Sequence, residues 1–190
     1  MTTVTERPTL RPLLTKADLA VGRPDDGLRY ELLDGVLIVT AAPSPRHQDA
    51  VTSLLLLLHA ACPHRLKVLM APLDVDLAED TLLEPDLLVF RREQADRRQV
   101  NGAPLLVVEV LSPSTRRIDL HLKRSRYEAA GTPSYWVVDP GEPPSVTAWE
   151  LRDGRYVEVA AVTGAEKFAA ELPFPVTVVP DDLVEQGFGL

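Results

Sequence analysis

LLVVEVLSPSTRRIDLHLKRSRYEAAGTPSYWVVDP, residues 105–140, decides how this chain folds. It opens on LLVVEVL (105–111), an aliphatic run of strand length interrupted by one carboxylate, Glu109. SPST (112–115) follows as a capping segment. A helix is expected from Arg116 to about Ala130, stopped by Gly131 with Pro133 just beyond. SYWVVDP (134–140) reads as a second buried strand closed by proline. A strand–helix–strand unit of this kind, among the hairpins around it, points to an α/β domain with a mixed central sheet.

Working upstream, TKADLA (15–20) is a short helix opened by Thr15, with Asp18 as its capping-box partner. In YELLDGVLIV (30–39), Asp34-Gly35 is a hairpin turn between two strands. Ser44-Pro45 is an N-cap and N1 pair for a helix running to about Ala61, and its leucine stretch predicts burial on more than one face. LKVLMAPLDVDL (66–77) reads as a strand and PDLLVF (85–90) as a short buried one. RREQADRRQVNGAP (91–104) reads as a loop with at most one helical turn. Downstream, SVTAWEL (145–151) and RYVEVAAV (155–162) are strands joined at Asp153-Gly154, and FPVTVV (174–179) is another. The first fourteen residues, with three charges and two prolines, are expected to be loosely held. Residues 15–190 are expected to form one domain.

Composition narrows the function classes. A hydrophobic fraction of 45% excludes a disordered chain. The formal net charge of -8 argues against a protein that coats nucleic acid through an overall basic surface. Charge is nevertheless uneven. Residues 116–126 hold five basic residues against one acidic, and residues 74–86 hold six acidic and no basic ones. Cys62 is the single cysteine, so no disulfide or thiolate cluster forms within the chain. The N-terminus lacks an apolar signal core and no run reaches membrane length, so a cytoplasmic protein without a membrane partner is expected.

Glu109 needs explaining first, because an unpaired carboxylate inside an aliphatic strand is costly. Its plain alternative is an edge strand with the side chain in solvent. Asp86 opens the strand PDLLVF, where an Asp is often only a turn residue. Beside Glu109 it would complete a carboxylate pair of the sort that holds Mg²⁺ or Mn²⁺. Asp119, Lys123 and Tyr127 follow at i, i+4, i+8 along one helix face, and a lysine there could orient a water or offset charge on a phosphate. Glu31 is a candidate additional metal ligand. His47, at the start of the leucine-rich helix, could touch a phosphate or a carboxylate. Arg116, Arg117, Arg124 and Arg126 are candidate contacts to a nucleic-acid backbone, or a plain solvated helix face.

YELLDG, PSPRHQ, EPDLLVF, the run 105–131 and YWVVDP together resemble the Uma2 family, closely over about residues 15–140. That family is placed in the PD-(D/E)XK restriction-endonuclease-like superfamily. The resemblance implies a mixed central sheet flanked by helices, with additional N-terminal and C-terminal strands, and a catalytic site at Asp86 and Glu109. The superfamily pattern puts a lysine two residues after the strand glutamate, where this chain has Leu111. In the family the lysine sits on the following helix, which matches Lys123, and Glu31 matches the acidic residue contributed earlier. The implied activity is metal-dependent phosphodiester hydrolysis, with DNA as the expected substrate and a homodimer expected by analogy. The alternative is a binding module for nucleic acid or protein on a nuclease-like fold that does not cut.

Overall fold

The structure, a computed structural model, describes residues 13–24 and 26–184. The loosely held segment expected at 1–14 falls outside these residues except for Leu13 and Leu14, and the Leu14 N–H donates to the Gly35 carbonyl at 3.0 Å. In chain order the elements are α1 (Lys16–Gly22), β1 (Arg29–Leu33), β2 (Val36–Thr40), α2 (Pro45–Ala61), β3 (Leu66–Met70), β4 (Asp74–Ala78), β5 (Thr81–Leu83), β6 (Leu87–Arg91), β7 (Gln99–Asn101) and β8 (Leu106–Val110). A π-helical turn (Ile118–Lys123) then runs into α3 (Arg124–Ala130), followed by β9 (Ser134–Asp139), β10 (Ser145–Arg152), β11 (Arg155–Thr163), β12 (Phe168–Ala170) and β13 (Val176–Val178). None of the described helices is long and apolar enough to cross a membrane.

The central sheet has six strands in the order β11-β10-β9-β8-β6-β3. β8 and β9 pair in parallel, and every other pairing in it is antiparallel. A second sheet, β2-β1-β5-β4-β7, packs over one of its faces, and β12 pairs with β13 as a short ribbon. The architecture is the one the sequence resemblance implies, with a mixed sheet, flanking helices and added strands at both ends.

Local chemistry explains most boundaries. Thr15 and Asp18 form a reciprocal capping box on α1, and Ser44 caps α2 with Pro45 at N1. Asp34-Gly35 and Asp153-Gly154 both adopt positive φ, as two-residue hairpins of right-handed twist require. The expected strand at 66–77 is divided at Ala71-Pro72 into β3 and β4, which belong to different sheets. A prolyl nitrogen cannot continue the ladder. The expected loop at 91–104 contains β7, which pairs in parallel with β4. The leucine run of α2 buries one face only. Leu54 and Leu58 are fully buried, whereas Leu56 is 65% exposed.

Strand alternation positions the acidic residues. In β8, Leu106, Val108 and Val110 pack toward α2, while Val107 and Leu111 face the second sheet and α3. Glu109 shares the parity of Val107 and Leu111. In β6, Leu87 and Val89 pack toward α2, while Leu88 and Phe90 face β4 and β7, so Asp86 points the same way as Leu88. In β1, Arg29 and Glu31 share the parity of Leu33, which packs with Val107 and Tyr135. Three independent alternations thus aim Glu31, Asp86 and Glu109 into the space between the sheets.

The two hairpin turns provide a matched test. Gly154→Ala meets open space and only forces an L-residue into the left-handed region, at about 1–2 kcal/mol. Gly35→Ala would also bring its Cβ to 2.6 Å from that of Leu13, adding about 1–3 kcal/mol of overpacking. Urea unfolding should therefore show the larger loss for Gly35→Ala. Equal losses would mean that Leu13 is not seated on the turn.

Candidate active site

A cleft of about 610 Å³ lies between the sheets, walled by β1, the start of α2, the C-terminal end of β8 and the segment 112–116. Glu31, His47, Asp86, Glu109, Asp119 and Lys123 all line it and are all buried residues. Six of the seven catalytic and supporting residues singled out in the sequence therefore come together. Tyr127, the seventh, is fully buried without contributing to the cleft wall, and its hydroxyl has no hydrogen-bond partner among the described residues.

Lys123 is the centre of the cluster. Its Nζ lies 2.8 Å from Glu31 Oε1, 3.3 Å from Glu109 Oε1 and 3.4 Å from Asp119 Oδ1. The expected helix from Arg116 is present, but its first part is the π turn. Closing hydrogen bonds one residue further along widens the turn, and both Asp119 and Lys123 point inward from it at 2% exposure. Burial alone would lower the lysine pKa, but the Glu109, Glu31 and Asp119 charges raise it well above the ordinary value.

Asp86 is held differently. Arg29 Nη1 and Nη2 each donate to Oδ1 at 2.9 Å, the Val110 N–H donates to Oδ2 at 2.8 Å, and His47 Nε2 stands 3.2 Å from Oδ2. Burial opposes ionisation of Asp86, yet the His47 contact, the Arg29 charge and the Val110 N–H hold its pKa below the ordinary value. Arg29 also reaches Glu84, with Nε 3.0 Å from Oε1, and Arg23 reaches Glu84 from the other side at 3.1 Å. Glu109 behaves oppositely to Asp86. Burial pushes its pKa well up, the Asp119, Asp86 and Glu31 charges add to the shift, and Lys123 offsets it only in part. Burial raises Asp119 as well.

Whether a dication suits these residues is decided by charge and donors. Four buried carboxylates line the cleft (Glu31, Asp86, Glu109 and Asp119) and face two inner cations, Arg29 and Lys123. With all six ionised and His47 counted neutral, two negative charges remain, the charge of one divalent ion. The geometry is looser than the three-carboxylate set Asp86, Glu109 and Glu31 read from the sequence. Among the described residues no three Asp, Glu, His or Cys side chains are grouped to hold a metal. Asp86 is turned to Arg29 and His47, and Glu31 to Lys123 and the Glu84 N–H. The donors fit the mode typical of Mg²⁺, in which one or two carboxylates bind and water or substrate oxygens complete the shell.

The four arginines of the helix do not form one surface. Arg116 lines the cleft. Arg117 is exposed away from the cleft wall, Arg124 lies 4.8 Å over the Trp149 ring, and Arg126 pairs with Asp34 and Asp80. Successive helical residues point in different directions, so a basic stretch in sequence is not a basic face. Sequence reading missed Arg29, Glu84 and Arg46. Arg29 was detectable, since it stands two residues before Glu31 in one strand and must share its face.

A family model, Uma2, described as "putative restriction endonuclease", matches residues 18–181. Among solved structures, a protein from Anabaena variabilis described as a "putative nuclease belonging to DUF820" is similar, with a TM-score of 0.68 over 90% of this chain and 97% of its own, at 17% identity. At that identity the likeness shows the fold. No curated protein matches this chain.

The cluster makes two opposed stability predictions in metal-free buffer. Lys123→Met leaves three buried carboxylates without their shared cation and should cost about 3–5 kcal/mol. Glu109→Gln should do the reverse at high pH. Glu109 binds its proton more tightly folded than unfolded, so its ionisation costs stability as pH rises through the folded pKa. Melting temperatures between about pH 4 and 8 should show Glu109→Gln gaining on the wild type as pH rises. A wild type that gains on the variant instead would mean that the ion pair with Lys123 outweighs the burial cost.

Proposed function

The chain belongs to the Uma2 family, and from that premise we propose that it is a divalent-metal-dependent endonuclease hydrolysing phosphodiester bonds in DNA at the cleft between its sheets. Restriction-endonuclease-like families generally use divalent metals. The observation that carries the reading is the charge deficit at the inner end of the cleft, four buried carboxylates against Arg29 and Lys123. Asp86 and Glu109 would hold Mg²⁺ or Mn²⁺, with Glu31 supporting directly or through water. A bound ion would polarise a phosphoryl oxygen and acidify an attacking water.

The remaining roles fall to the chain's own groups. Arg29 and His47 fix the carboxylate of Asp86 in one orientation. Lys123 keeps Glu31 and Glu109 close enough to act together, and its ammonium can offset charge growing on the scissile phosphate or orient the water. Asp119 holds Lys123 from the same helix, and Tyr127 lies buried one turn further along it. Arg116 is the helix arginine placed to meet a DNA backbone. Arg117, Arg124 and Arg126 would reach one only on the outer surface. A homodimer belongs to this reading by analogy with nucleases that cut both strands of a duplex with paired sites.

A second reading has its own support. The charges on Asp86 and Lys123 are already matched by protein partners, so the same cluster could serve as a rigid support for a binding module that does not cut. Two measurements separate the readings. Calorimetric titration with Mn²⁺ should show binding to the wild type that is lost in Glu109→Gln. Cleavage of mixed DNA substrates should require the metal and fall by about 10²-fold or more in Glu109→Gln and Lys123→Ala, the loss typical of removing one electrostatic group from such a site. Metal binding and cleavage both absent from folded protein would leave the binding module. Cleavage surviving both substitutions would place the chemistry elsewhere.

A further inference from the structure

The mouth of the cleft carries a feature that neither the metal site nor the buried cluster uses. Arg46 lies in the first turn of α2, and Arg116 begins the helix that follows β8. Both line the cleft, and both converge on the turn between β9 and β10. Arg116 Nη1 donates to Asp139 Oδ2 at 2.5 Å. Arg46 Nη1 donates to Glu142 Oε1 at 2.9 Å, its Nη2 to the Gly141 carbonyl at 3.2 Å, and its Nε to the Pro140 carbonyl. The pairs are open to water, with 52% and 27% side-chain exposure for Arg116 and Asp139, and 39% and 82% for Arg46 and Glu142.

We infer that Arg46 and Arg116 form a clamp for a phosphodiester backbone at the cleft mouth, and that Asp139 and Glu142 occupy it until phosphates displace them. The ligand class rests on the nuclease reading. Exposed ion pairs contribute little to stability, so exchanging partners costs little. A guanidinium N–H donates to a phosphate oxygen as it does to a carboxylate, so Arg46 can keep its Nε and Nη2 bonds to the Pro140 and Gly141 carbonyls while Nη1 exchanges Glu142 for a phosphate. In a chain of net charge -8, two arginines are the cations this entrance offers. The two carboxylates make it selective, because a lone phosphate displaces one pair whereas a backbone placing phosphates at both arginines displaces two.

The test is fluorescence anisotropy of a labelled DNA duplex and of a single strand in EDTA, over a salt series. D139N/E142Q should tighten binding about tenfold, the effect of removing two charge-assisted competitors. D139N keeps the oxygen that accepts the Gly141 N–H, so the turn retains that hydrogen bond. R46A/R116A should weaken binding and make the salt dependence shallower by about two phosphate contacts. The gain from D139N/E142Q should vanish in the R46A/R116A background. An equal gain in that background would reveal a general charge effect and overturn the clamp, as would unchanged affinity or no binding by any variant. Cleavage with Mg²⁺ is measured separately. If it is absent while binding follows the expected pattern, the nuclease reading fails and the clamp stands. If cleavage is present while binding is unmoved by these substitutions, the clamp fails and the nuclease reading stands.

Discussion

A lysine ammonium at 2% exposure is the constraint from which the rest of this structure follows. Removing such an ion from water costs several kcal/mol unless partners surround it at short range. Its three partners come from different places: Glu31 from a strand of the second sheet, Glu109 from the central sheet, and Asp119 from the helix that carries the lysine itself. No one element can satisfy the charge alone. The sheets must therefore keep their spacing, and the helix its depth, for the ion to be tolerated. The carboxylates gain equally, since without Lys123 they would repel one another in a poorly solvated space.

From that centre the cations become progressively wetter. Side-chain exposure rises from Lys123 through Arg29 at 21% and Arg46 at 39% to Arg116 at 52%. Each is paired, but the pairs differ in kind. The inner ones are held by burial and can hardly be broken without loss of the fold. The outer ones exchange with water and salt, and can exchange with a ligand. One row of arginine and lysine residues thus serves architecture at its inner end and recognition at its outer end.

The parts of the site visible in the sequence were those where a residue violates its local pattern. Glu109 interrupts an aliphatic strand, and the i, i+4 spacing of Asp119 and Lys123 survived the change from an α to a π turn because both spacings bring such residues to one side. Both Asp-Gly hairpins and the Thr15 and Ser44 caps were legible for the same reason, since their backbone geometry selects the residue. What stayed hidden depends on partners distant in sequence. Arg46 looks like any surface arginine until residues 140–142, far along the chain, are brought beside it. The division of residues 66–77 between two sheets turns on a proline whose effect is clear but whose destination is not. The arginines at 116–126 illustrate the converse, since a dense signal in sequence was dispersed by the helix.

The π turn at Ile118–Lys123 has a consequence for how this chain can change over time. Such a turn takes up one residue more than an α-helical turn would before the helix regains its course. Losing a single residue here would let an ordinary α-helix form, which is the easier local structure, and would change how far Lys123 and Asp119 reach into the cleft. Elsewhere on the surface short deletions are absorbed by loops. Within these six positions the number of residues matters as much as their identity, so the family's descendants would be expected to substitute here more readily than to shorten.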